Sequence, residues 1–131
     1  MRGEIKIQQG RAIVFILFLF IFQACAEKFP AQSIITTFPV TAISSNSAAS
    51  GGEITDPGSS PITSRGVCWN TSPDPTTEGY MTIDGTGTGQ FFSSMNGLIP
   101  STIYYVRAYA SNSNGTIYGE TVVFRTSAPS K

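Results

Sequence analysis

The stretch Leu98–Asn112, LIPSTIYYVRAYASN, predicts a turn followed by a long β-strand. Successive side chains of a strand point to opposite faces, so the strand divides into two sets of residues. One face carries Tyr104, Val106, Ala108 and Ala110, and the other carries Ile103, Tyr105, Arg107 and Tyr109. The first set suits a core and the second suits an exposed surface, which indicates an antiparallel sheet with one buried side.

The rest of segment 35–126 repeats this pattern on a smaller scale. Short runs of apolar or β-branched residues alternate with turn residues such as Asp56-Pro57-Gly58 and Asn96-Gly97. This rhythm predicts an all-β, seven-stranded antiparallel sandwich, with no helix after Cys25 and a flexible tail at 127–131. The predicted core consists of Ile54, Val67, Trp69, Phe91, Leu98, Tyr104, Val106, Ala108, Val122 and Phe124.

These segments also resemble a known family. The pattern from Leu98 to Asn112 is similar to a fibronectin type III strand and the turn before it. The runs YYVRAYA at 104–110, NGTIYG at 114–119 and FRT at 124–126 resemble the fibronectin type III-like modules of surface lipoproteins from Bacteroidetes. The resemblance extends over about residues 36–126 and implies an immunoglobulin or fibronectin type III-like sandwich. It also implies a structural tyrosine corner, in which the hydroxyl group of Tyr104 bonds to backbone near Leu98.

The N-terminal segment 1–24 is typical of a secretory signal peptide. Basic residues precede an apolar run at 12–22, which is shorter than the roughly 20 residues of a membrane-spanning helix, and Ala24 stands before Cys25. The sequence FQAC at 22–25 resembles a bacterial lipobox, whose cysteine is acylated. We therefore expect lipidation of Cys25 and a tether at 25–34 that leads to the folded domain.

Lipidation at Cys25 implies a location in the bacterial cell envelope. The protein would contact the membrane through this lipid anchor. We expect the anchor to lie in the outer membrane, and the sequence leaves open whether the domain is exposed at the cell surface. Cleavage without acylation and an uncleaved signal anchor are the alternatives. Two or more acyl chains are needed for stable anchoring, which a lipobox cysteine provides.

The composition excludes several classes of function. The chain has 131 residues, a formal net charge of zero and no histidine. The absence of a basic cluster argues against a nucleic-acid partner. Without histidine the usual general base, zinc ligand and catalytic triad are missing, so we predict no enzyme, no cofactor and no metal site. A hydrolase that uses the loop acids Glu78 and Asp84 is the least favoured alternative.

The outward residues of the long strand form the candidate binding face. Tyr105, Arg107 and Tyr109, with Arg125 on the last strand, combine residue types that are enriched at interfaces. The same residues could instead form a stabilising cross-strand ladder. The leading hypothesis is a non-catalytic module for structural or protein–protein interaction, with an unknown partner. The alternative is a glycan-binding module, for which the available tyrosines are Tyr80, Tyr105, Tyr109 and Tyr118.

Cys68 is predicted to be a small buried hydrophobic residue rather than a nucleophile. The sequence leaves open which residues of its strand face the core. Either Val67 and Trp69 point inward, or Cys68 does.

Overall fold

The computed structural model describes residues 34–130. The predicted signal peptide, Cys25 and the tether up to residue 33 lie outside the described residues. The described chain forms eight strands: β1 (Ile34–Thr37), β2 (Ser47–Asp56), β3 (Ser64–Asn70), β4 (Tyr80–Met81), β5 (Gly89–Asn96), β6 (Ile103–Asn112), β7 (Gly115–Tyr118) and β8 (Val122–Arg125).

The strands form two antiparallel sheets. The first has the order β1-β2-β5, and the second has the order β4-β3-β6-β7, with β8 also paired to β6. β7 and β8 lie one after the other along the same edge of β6. The all-β antiparallel sandwich that the sequence predicted is therefore confirmed.

The last part of the chain forms two strands, so the described residues have eight strands rather than the predicted seven. β7 pairs Tyr118 with Tyr109 and β8 pairs Val122 with Val106, which leaves one extra residue on the edge, as in a β-bulge. At this point the amide of Ala108 donates to Thr37 Oγ1 of β1 at 2.9 Å. The amide of Thr37 in turn donates to the Glu120 carboxylate, and this bond lowers the pKa of Glu120. The first strand thus satisfies the backbone that the bulge leaves unpaired.

The core lies between the two sheets and matches the predicted set closely. Nine of the ten predicted residues are buried, and Val122 is half-buried against them. Val67 and Trp69 face the core, since they pair with Ala108 and Val106 on β6. Cys68 therefore points to the opposite face of the sheet, where it is nonetheless fully buried.

The turn before β6 has the geometry that the resemblance implies for a tyrosine corner. The Tyr104 hydroxyl oxygen accepts a hydrogen bond from the amide of Ile99 at 2.9 Å, next to the buried Leu98. Thr126, the last residue of the FRT run, closes the same turn. Its hydroxyl oxygen accepts a hydrogen bond from the amide of Thr102 at 2.9 Å, and its hydroxyl group donates to the carbonyl of Ile99 at 2.6 Å. The predicted tail at 127–131 therefore follows a residue that is firmly bonded to this corner.

Candidate binding surfaces

The chain's own connection between β3 and β4 covers the middle of the predicted binding face. The Nε of Arg107 donates to the carbonyl of Pro75 at 2.7 Å, and its guanidinium carbon lies 3.9 Å from the centre of the Tyr118 ring. The amide of Thr77 also donates to the Tyr118 hydroxyl group at 3.3 Å. Arg107 and Tyr118 thus hold the segment 71–79, which we call the covering loop, against the outer face of the second sheet.

Cys68 is buried beneath the covering loop. Its thiol lies 3.5 Å from the carbonyl of Pro75, to which it donates a weak hydrogen bond. Burial raises the pKa of Cys68 to about 11, and the nearby Arg107 offsets this rise only in part. At neutral pH the residue is a protonated thiol without access to solvent, so it has neither the charge nor the exposure of a nucleophile.

Tyr109 does not belong to an exposed face. It is 1 % exposed, although we expected it to point outward into solvent. Its side chain lies opposite Gly66 of β3, and its hydroxyl group donates to the carbonyl of Thr82 at 2.6 Å. Burial raises its pKa. A Cβ atom at Gly66 would clash with the same carbonyl of Thr82, so glycine at this position lets the β4 segment close over the sheet.

Two residues of the predicted face remain accessible. Tyr105 is half-buried and Arg125 is exposed, and they pair with Val123 and Ile103 respectively. Ile103 and Val123 are 47 % and 56 % exposed. These four residues form a small, mostly apolar surface, which we call the β6–β8 strip. The predicted face is therefore reduced to the strip, because Arg107 and Tyr109 are occupied by contacts within the chain.

Asp84 joins the two sheets rather than pairing with another acid. One oxygen of its carboxylate accepts hydrogen bonds from the hydroxyl groups of Thr82 and Ser93, each at 2.6 Å. Arg65 fixes the loop that follows, since its guanidinium donates to the carbonyl of Asp84 and to two carbonyls farther along the loop. Glu78 is exposed in the covering loop. Within residues 34–130 no group of three or more potential metal ligands comes together.

A cleft opens between the edge of β4 and the turn after β5. Its volume is about 320 Å³, and we call it the Tyr80 cleft. Tyr80 is 68 % exposed, and its ring stacks on Trp69, with the ring centres 6.0 Å apart and the planes 14° from parallel. The residues that line the cleft include Trp69, Asn70, Tyr80, Asn96, Ile99 and Tyr104. From the sequence, Tyr80 is only one of four candidate tyrosines and the cleft is not predicted, since no local pattern places β4 beside the β5–β6 turn.

Comparisons with solved structures show what this fold resembles. The sensor domain of the anti-sigma factor RsgI4 in Pseudobacteroides cellulosolvens superposes with a TM-score of 0.56 at 16 % identity, covering 79 % of this chain and 100 % of that chain. The sixth fibronectin type III domain of human fibronectin type III domain containing protein 3 superposes with a TM-score of 0.50 at 27 % identity, covering 80 % and 92 %.

No protein-family model matches the sequence, and no curated protein does. Among the described residues no helix is long and apolar enough to cross a membrane. The narrower resemblance to surface lipoproteins of Bacteroidetes stays a prediction. The chain therefore has a β-sandwich fold of the kind found in fibronectin type III and immunoglobulin-like domains.

Proposed function

We propose that this protein is a non-catalytic binding module, tethered to the bacterial cell envelope by an acylated Cys25. The observation that carries the binding role is the β6–β8 strip, where apolar side chains stay exposed on a sheet that the chain covers elsewhere. Exposed apolar groups beside an arginine and a tyrosine are typical of protein contacts. The partner proposed for the strip is another protein of the envelope.

The described residues give the hydrolase alternative no support. Asp84 is committed to two hydroxyl groups that link the sheets, and Glu78 stands in an exposed loop. The same fold serves as a sensor domain in RsgI4. Fold alone does not determine function, so we extend a non-catalytic role to this chain by analogy only.

Glycan binding is the second candidate, and the Tyr80 cleft favours it. Of the four tyrosines considered from the sequence, Tyr109 is buried and Tyr118 lies under Arg107. Tyr105 is half-buried in the β6–β8 strip, which leaves Tyr80 as the one with a largely exposed ring. A glycan would therefore bind at the opening between the sheets rather than on the face of β6.

One experiment tests both the anchor and the strip. The full chain with a C-terminal affinity tag is produced in a bacterial host that acylates lipoproteins, and cells are cross-linked, fractionated and subjected to affinity purification. We expect the native sequence to sediment with membranes and Cys25→Ala to be released into the soluble fraction, because the acyl chains supply the anchor. The double variant Ile103→Ser/Val123→Ser should stay in the membrane but lose its cross-linked protein.

The matched control is Ile83→Ser, which removes an exposed isoleucine outside the strip. It should keep both the membrane location and the cross-linked protein. Membrane retention of Cys25→Ala would contradict the lipid anchor. A cross-linked protein that survives the strip variant would contradict the proposed contact face.

A further inference from the structure

We infer that the Tyr80 cleft is a binding site for one neutral pyranose ring of a glycan. The inference rests on the second candidate function, glycan binding, and names a ligand class and a place for it; it depends neither on the lipid anchor nor on the β6–β8 strip. The cleft volume of about 320 Å³ is at the lower end of the range for small-molecule sites. This size suits a single sugar unit whose neighbours extend into solvent.

The aromatic surface of the cleft supplies stacking. Tyr80 leans against Trp69 in a nearly parallel arrangement, so the exposed phenol ring has a fixed orientation even though β4 is only two residues long. The flat C–H face of a pyranose ring packs on such an aromatic surface and removes apolar area from water. A preset ring costs little conformational entropy when the ligand binds.

Polar groups beside the rings remain available for sugar hydroxyl groups. The Asn70 side-chain oxygen accepts from the amide of Thr71, while its NH₂ group has no partner among the described residues. The side chain of Asn96 makes no hydrogen bond within residues 34–130. The Tyr104 hydroxyl oxygen accepts from Ile99, which leaves its own proton to donate. A sugar hydroxyl group can donate and accept a hydrogen bond, so both the donors and the acceptors of the cleft can pair with it.

The lack of charged residues in the lining of the cleft indicates the ligand class. None of the described residues that line it carries a charge, so nothing there would compensate a phosphate, a carboxylate or an ammonium group. Stacking rings combined with uncharged amides and a phenol therefore favour a neutral sugar. A proline-rich peptide, which also packs on aromatic surfaces, is the alternative that the experiment must separate.

The chain's single tryptophan provides the readout, because Trp69 lies in the cleft itself. The full chain is purified in an amine-oxide detergent, since sugar-headed detergents would occupy the site. Its tryptophan fluorescence is titrated with cellohexaose, mannohexaose and xylohexaose. Trigalacturonic acid and a proline-rich decapeptide are the comparison probes. We expect a saturable change with at least one neutral oligosaccharide and none with the two comparison probes.

Three variants separate binding at the cleft from other effects. Tyr80→Ala should weaken the affinity about tenfold or more through the loss of stacking, whereas Tyr80→Phe should keep most of it. Phe92→Ala, which removes an exposed aromatic ring from the other sheet, should leave the affinity unchanged. The inference is overturned if no neutral oligosaccharide saturates the signal, if the peptide alone does, or if Tyr80→Ala binds as tightly as the native chain. None of these outcomes bears on the membrane fractionation of Cys25→Ala.

Discussion

At the scale of single residues, two tyrosines on β6 show that the burial of a side chain depends on what packs over it. The resemblance to a fibronectin type III strand implies a structural role for Tyr104, and its hydroxyl group does bond to the turn. Tyr109 has the same residue type and lies on the opposite face, yet it is buried as well. Alternation along a strand predicts which face a residue occupies, but it does not predict what covers that face.

The bond at the Tyr104 corner predicts a measurable contribution to stability. Tyr104→Phe keeps the ring against Phe124 and removes the hydroxyl group, which leaves the amide of Ile99 without that acceptor. We expect the free energy of unfolding to fall by about 1 kcal/mol, measured by urea denaturation.

Tyr105→Phe is the control for this prediction. The Tyr105 hydroxyl group makes no hydrogen bond within residues 34–130, so its loss should change stability by less than about 0.5 kcal/mol. Equal effects of the two substitutions would contradict the structural role of the corner.

At the scale of elements, the covering loop decides which surface stays available. Pro73 and Pro75 favour an irregular connection, but no pattern in the sequence indicates that this connection folds back over β6. Pro75 is fully buried, and its carbonyl receives bonds from both Arg107 and Cys68. A loop is placed by a few such long-range bonds, which have no periodic signal in the sequence.

The thiol beneath the covering loop offers a test of how firmly the loop is held. In a Cys25→Ala background, Arg107→Ala removes both the bond to Pro75 and the stacking on Tyr118. We expect Cys68 to be alkylated by iodoacetamide about tenfold faster at pH 8, because local opening of the loop becomes more frequent.

Arg125→Ala is the matched control, since Arg125 is exposed and belongs to the same sheet. Its alkylation rate should equal that of the Cys25→Ala background.

The sign of the effect of pH on this alkylation follows from the burial of Cys68. The pKa of Cys68 is about 11 in the folded protein. The alkylation rate should therefore rise steeply between pH 9 and pH 11 if iodoacetamide reacts with the folded protein directly, and it should not do so if the reaction needs local opening. Fast alkylation of Cys68 at pH 8 in the Cys25→Ala background would contradict the burial of this thiol.

At the scale of the whole molecule, the sequence was sufficient to predict the fold but not to predict the Tyr80 cleft. Alternation in β6 and regular turn signals predicted two antiparallel sheets, and the predicted core residues pack between them. At the break between β7 and β8, the amide of Ala108 on β6 bonds instead to Thr37, which is distant in sequence. The Tyr80 cleft likewise forms where two edges meet. Features that depend on such distant contacts cannot be derived from local patterns.

The structure covers Arg107 and Tyr109 on the outer face of β6 with the chain's own contacts, and it exposes a different tyrosine, Tyr80, at the cleft. Nitration of the folded protein with tetranitromethane, mapped by mass spectrometry, tests this claim at all five tyrosines at once. Tyr80, which is 68 % exposed, should be nitrated first, while Tyr104 and Tyr109 should stay protected until the protein unfolds. The raised pKa of Tyr109 lowers its phenolate fraction and should add to its protection. Nitration of Tyr109 in the folded protein at a rate equal to that of Tyr80 would contradict the account.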